Sequence, residues 1–122
     1  MLRLFLAVTP AALVLSVSIF VLMTVNGFAC QMVTASWYGT ESGNRTADGS
    51  YFDGSQMYAA SRTMKFGTRL RLTYRGRSAI VTVRDRGPAA WTKHDLDISR
   101  AAAERIGLIH AGVGRVCAEQ IR

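Results

Sequence analysis

Apolar residues dominate only at the front of the chain. From Leu4 to Ala29 no side chain is ionised, and Arg3 is the one cationic side chain ahead of that run. Such a stretch favours hydrocarbon over water while its leading cation favours the cytoplasmic side, so residues 1–29 are expected to be an export signal. Gly27 and Ala29 place small residues where a signal peptidase would need them before Cys30. Two alternatives stay open. The run is long enough to cross roughly 30 Å of hydrocarbon as an uncleaved anchor, though Pro10 interrupts it, and Cys30 could carry a lipid. Each puts residues 30–122 outside the cytoplasm.

Beyond Cys30 the pattern becomes short-period. Val33 to Gly39 (VTASWYG) has strand-forming residues and stops at glycine, and Asn44 to Gln56 is a polar loop with turn signals at Asp48-Gly49 and Asp53-Gly54. Met57 to Ala60 is a short apolar piece. Leu70, Leu72 and Tyr74 alternate with Arg69, Arg71 and Arg75, and Ile80, Val81 and Val83 form a run expected to be more fully buried. A hairpin across Arg75-Gly76-Arg77 would join these two strands. The period then switches. Ser99 can cap a helix over Ala101 to Ile106, Gly107 suits its left-handed end, and Gly114 to Ile121 reads as a closing strand. Short strands with one helix predict a small closed barrel in a single domain.

Composition adds charge. The chain of 122 residues carries 15 Lys+Arg against 8 Asp+Glu, for a net charge of +7. Nucleic acid is not the expected partner, because export leaves anionic wall polymers or lipid headgroups within reach of that field. Arginines 69, 71, 75, 77, 84 and 86 would be the residues to test, and a solvated basic face is the plain alternative. Two cysteines and two histidines, His94 and His110, do not form a zinc set, so neither metal nor other cofactor is expected. An oxidising compartment allows a Cys30–Cys117 bond worth about 4 kcal/mol by loop closure; otherwise Cys117 is simply buried and Cys30 lipidated or frayed.

Three places could carry chemistry. Asp85-Arg86-Gly87-Pro88 follows a strand end, where loops commonly hold functional groups, although Asp85 could merely cap its own turn. His94-Asp95-Leu96-Asp97-Ile98-Ser99 puts two carboxylates just before a helix, where Asp97 is either a dipole-stabilised anion or a buried acid. Trp37 and Tyr38 could stack on sugar rings or fill a core.

Together these stretches resemble one family. Ala35 to Gly39 (ASWYG), Arg45 to Gly49 (RTADG), Tyr58 to Thr73, Val81 to Pro88 (VTVRDRGP) and Leu96 to Leu108 look like the ordered blocks of the rare lipoprotein A family. The resemblance implies a mainly β, six-stranded double-psi β-barrel with one or two short helices, a fold shared with expansins. It also implies a peptidoglycan lytic transglycosylase that cleaves the β-1,4 bond after N-acetylmuramic acid and leaves a 1,6-anhydro end. Peptidoglycan glycan strands would be the partner, the protein would be a monomer touching membrane only through its leader or a lipidated Cys30, and the place would be the envelope or periplasm of a Gram-negative bacterium. Because the sugar's own 6-hydroxyl attacks, one carboxyl acting as acid and then base can suffice where a hydrolase needs two. Asp85 and Asp97 match the family's aspartates, and either could be that acid. Trp37, Tyr38, Ser50, Ser61, Arg86 and His94 are the candidate substrate contacts.

The chain departs from the family pattern at Ser50 and Ser61, where Glu and His are usual. Serine can hydrogen-bond a sugar hydroxyl, but it is no proton donor near neutral pH. His94 could stand in for the missing imidazole or be a solvent-exposed loop residue. The rival reading is therefore a non-catalytic, expansin-like glycan-binding barrel.

Overall fold

The computed structural model describes residues 30–122. The signal, anchor and cleavage readings fall on residues 1–29, outside that range. Six strands, β1 (Gln31–Tyr38), β2 (Tyr58–Ala60), β3 (Arg69–Tyr74), β4 (Arg77–Asp85), β5 (Leu96–Ser99) and β6 (Val113–Ile121), close into a barrel in the order β1-β5-β2-β4-β3-β6. The pairs β1–β5 and β2–β4 are parallel, and the other pairs are antiparallel. One helix, α1 (Arg100–Ile106), and one 3-10 turn, Ala90–Thr92, complete the elements.

Local sequence explains most of this. Leu70 and Leu72 are buried while Arg69 and Arg71 are exposed, as a strand with one wet face requires. Arg75 and Gly76 both take positive φ, 46° and 79°, which is the hairpin turn matching the right-handed twist of β3 and β4. The Ser99 hydroxyl accepts from Ala102 N at 3.2 Å, and Gly107 ends the helix at φ 78°. Ala102, Ala103 and Ile106 on the helix and Leu108 after it join the buried side chains of the barrel in one core. At Gly114 a Cβ would stand 2.8 Å from Leu108 Cδ1 and 3.0 Å from Tyr74 Cε2, so a side chain at this position of β6 would force those two to shift.

Two expectations change, and the pairing of the cysteines is decided. Ile80 is 40% exposed, because β4 turns Ala79, Val81 and Val83 inward and Ile80 outward. Leu96 to Ser99 is a strand, not the approach to a helix; its partners β1 and β2 are distant in sequence, and four residues are too few for alternation to stand out locally. Cys30 and Cys117 are bonded with their Cα atoms 5.4 Å apart, so the Cys30 sulfur is not free for lipid. Among the described residues no helix is long and apolar enough to cross a membrane.

Candidate active site

Strand β2 is three residues long and lies between β4 and β5. Its last residue, Ala60, pairs with Asp85 on one side and Asp97 on the other. The pairing with β4 slips between Ala59 and Ala60, so Asp85 rather than Arg84 stands opposite Ala60. A bulge of this kind re-aims side chains. The small alanine leaves open floor between the two carboxylates, whose backbones are two strand spacings apart, or about 10 Å.

A groove of about 340 Å³ lies over that floor. The loop from Gly39 to Phe52 walls it with Ser42, Gly43, Arg45, Thr46 and Ala47, and Tyr38, Ala60, Asp85, Arg86 and Asp97 complete it. Asp85 Oδ1 accepts from Ala47 N and from Arg86 N, both at 2.9 Å. Capping its own turn and tying down the groove wall are thus one and the same arrangement. Arg86 is held in turn, donating to the carbonyls of Ser61 (3.1 Å) and Met64 (2.8 Å) and lying 3.8 Å over the Phe66 ring.

Asp97 is built differently. Burial, the main cause, and the negative charges of Glu41 and Asp85 raise its carboxyl above the ordinary range, against a bond from Ser36 and the charge of His94. Ser36 Oγ donates to Asp97 Oδ1 at 3.2 Å and lies 3.1 Å from His94 Nδ1. With its one proton given to Asp97, the Ser36 hydroxyl accepts from Nδ1–H of His94. His94 is therefore half-buried and linked through the Ser36 hydroxyl to Asp97, not a solvent-exposed loop residue. Asp97 itself lies on a strand and faces the groove, which replaces the reading of a helix-flanking anion. The Tyr38 hydroxyl is buried without a hydrogen-bond partner, and burial followed by the charges of Asp85 and Asp97 pushes its ionisation upward. It remains a neutral phenol at the groove wall.

Trp37, Ser50 and Ser61 do not line this groove. Trp37 packs against the core and donates Nε1–H to Ile109 O at 3.3 Å. Ser61 is buried, and its hydroxyl accepts from Thr63 N and Met64 N at 3.2 and 3.0 Å, so it organises a turn. Ser50 donates its N–H to Asp48 Oδ1 at 3.0 Å within the groove-wall loop. Ser36 and Glu41 were not singled out from the sequence. Ser36 was detectable in principle, since it shares strand parity with Tyr38. Among the described residues no three His, Cys, Asp or Glu side chains form a metal-binding group.

The sequence model of the family described as "Lytic transglycolase" matches residues 31–118. The chain belongs to that family. Its relatives include the probable endolytic peptidoglycan transglycosylase RlpA of Synechocystis sp., 41% identical over 91 residues that cover 72% of this chain and 28% of the relative. That of Aquifex aeolicus is 46% identical over 82 residues, 65% of this chain and 36% of the relative. The endolytic peptidoglycan transglycosylase RlpA of Pseudomonas aeruginosa is 42% identical over 91 residues, 72% of this chain and 26% of the relative. The chain thus spans about a quarter to a third of these curated relatives. Among solved structures, a Streptomyces papain inhibitor superposes with a TM-score of 0.64 at 22% identity, covering 80% of this chain and 98% of the inhibitor. A Clavibacter michiganensis expansin variant in complex with cellohexaose gives 0.61 at 22% identity, covering 76% and 50%. The lytic transglycolase barrel and the expansin barrel thus share a fold, as the resemblance implied.

Proposed function

We propose that this domain is an endolytic peptidoglycan lytic transglycosylase of the cell envelope, with Asp97 as acid and then base. The observation that carries this reading is the pair of unlike carboxyls flanking Ala60 in one groove, one of them a half-buried acid with raised affinity for its proton. In the proposed step, the Asp97 carboxyl gives its proton to the glycosidic oxygen as the bond from the muramic acid C1 breaks. The same sugar's 6-hydroxyl bonds to C1, and its proton returns to the Asp97 carboxylate. No water is consumed, and the acid is regenerated. Asp85, fixed by two backbone N–H groups, faces the positive charge that develops at C1. The working place would be the periplasm.

A second reading is a glycan-binding barrel without turnover. It is favoured by Ser50 and Ser61, which stand where the family pattern has Glu and His and are both engaged in turns outside the groove. The two are separated by incubating the exported protein with intact and peptide-stripped peptidoglycan and seeking 1,6-anhydromuramyl ends by mass spectrometry. Products that vanish in Asp97→Asn support the transglycosylase. Retained wall binding with no product from either substrate overturns it in favour of the binding barrel.

A further inference from the structure

A glycan strand is longer than the groove, and the surface around the groove carries aromatic side chains that the acid chemistry does not use. Among the described residues, the exposed large hydrophobics are Met32, Tyr51, Phe66, Ile80, Trp91 and Val113. The aliphatic ones lie on strands of the barrel wall, whereas Tyr51 and Phe66 lie beside groove residues and Trp91 sits in the 3-10 turn of the loop that runs from Arg86 to His94. Tyr51 adjoins Phe52 and bridges to Arg45, both in the groove lining. Phe66 has one face covered by Arg86. Trp91 has neither face covered in this way and is 85% exposed.

The loop that presents Trp91 is fixed at both ends to the groove. It leaves from Asp85 and Arg86 of the groove, and a Cβ at Gly87 would come within ordinary contact, 4.0 Å, of that of Ala60. It returns at His94, whose ring contacts the hydroxyl that holds Asp97. Between these ends, Arg62 Nη1 donates to Pro88 O at 2.7 Å and to His94 O at 2.9 Å. Thr92 Oγ1 donates to Ala89 O at 2.7 Å and accepts from His94 N at 3.1 Å, locking the turn that carries the indole. The ordering cost of this loop is therefore met on folding and not on binding, which makes an exposed aromatic face effective for recognition.

We propose that Trp91 is a stacking platform for a pyranose ring of a β-1,4-linked amino-sugar strand, at the rim of the acid groove. The inference rests on the glycan reading of that groove and adds a subsite to it. An indole face suits the C–H face of a hexosamine, which needs no charge for recognition. A single-stranded nucleic acid would also stack, but the groove lining sets two arginines, Arg45 and Arg86, against two aspartates, Asp85 and Asp97, so its formal charge offers phosphates no net attraction.

The test uses wild type, Trp91→Ala and Trp91→Phe, with a β-1,4-N-acetylglucosamine hexamer, the corresponding dimer and a deoxythymidine oligomer as probes. Trp91 is exposed enough for its replacement to leave the fold intact, which a thermal melt checks. Tryptophan emission of the wild type should shift on adding the hexamer, and Trp91→Ala should bind it ~10-fold more weakly, with Trp91→Phe recovering part of the loss. The dimer, with fewer rings to reach from the acid to Trp91, should be affected far less. On peptidoglycan the loss should fall on KM and not on kcat. Hexamer affinity equal in all three proteins, no hexamer binding to the wild type, or preference for the oligonucleotide would each overturn the platform. Anhydro products formed with an unchanged KM in Trp91→Ala would sink the platform and leave the transglycosylase standing. Weakened hexamer binding with no product from any variant would do the reverse.

Discussion

Asp85 and Asp97 stand opposite the same residue, Ala60, from the strands on either side of β2. One is held by two backbone N–H groups, and the other is half-buried behind a serine hydroxyl. Two like groups at one alanine are thereby made chemically unlike, which is the usual way a single site separates an acid from a charge stabiliser. The β4 bulge is what permits it, since without the slip Arg84 would face Ala60.

The raised Asp97 carboxyl makes stability depend on pH in a known direction. The folded chain holds this proton more tightly than the unfolded chain, so stability falls as pH rises from the ordinary carboxylate value, about 4, through the raised one. Asp97→Asn cannot ionise and should lose that slope, becoming more stable than the wild type above the window. Thermal melts of both proteins from about pH 3 to pH 8 check this; parallel curves would remove the buried acid from the account.

Ser36→Ala deletes the bond that lowers Asp97 and breaks the contact to His94. The Asp97 carboxyl should then rise further. If Asp97 is the acid, the alkaline limb of the pH–rate profile moves to higher pH in this variant. An alkaline limb that does not move would assign it to another group.

Asp48 works in the opposite sense. Desolvation raises it, but bonds from Thr46, Ser50 and Arg84 together outweigh that and lower it to about 2. Arg84 Nη1 lies 3.4 Å from Asp48 Oδ2. A depressed carboxyl contributes stability that is complete above the unfolded value, about 4, and is lost as pH falls toward the folded one. Asp48→Asn should therefore lower stability near neutrality and flatten the acid-side loss, read from urea midpoints between about pH 2 and pH 6.

Gly114→Ala forces a methyl against Leu108 and Tyr74 in the closing strand. The cost should be about 1–3 kcal/mol, which lowers the melting temperature by several degrees in a domain of this size. A melt within one degree of the wild type would mean that Leu108 gives way freely.

How much of this was legible before folding depends on the range of each interaction. The hairpin at Arg75-Gly76, the helix between Ser99 and Gly107 and the alternation of β3 are written in neighbouring residues, since turn dihedrals, caps and strand period are local. The family blocks likewise located Asp85 and Asp97. Ile80 was misread because a run of β-branched residues looks the same whether one face or both are covered, and only the neighbouring strands decide that. The motif puts Ser50 and Ser61 at the site, yet the Ser50 N–H and the Ser61 hydroxyl bond within turns and neither residue lines the groove, which a motif does not show.

The sequence by itself determined the barrel's local parts, the cysteines that could pair and the two aspartates worth watching. Tertiary structure decided that Leu96 to Ser99 joins the barrel, that Ser36 reaches Asp97, and that a slip of one residue brings Asp85 to Ala60. These are contacts between residues 24 to 61 positions apart, and their geometry is set by strand register and barrel closure. Local preference cannot encode register, because every strand with the right alternation fits several alignments until the whole sheet selects one.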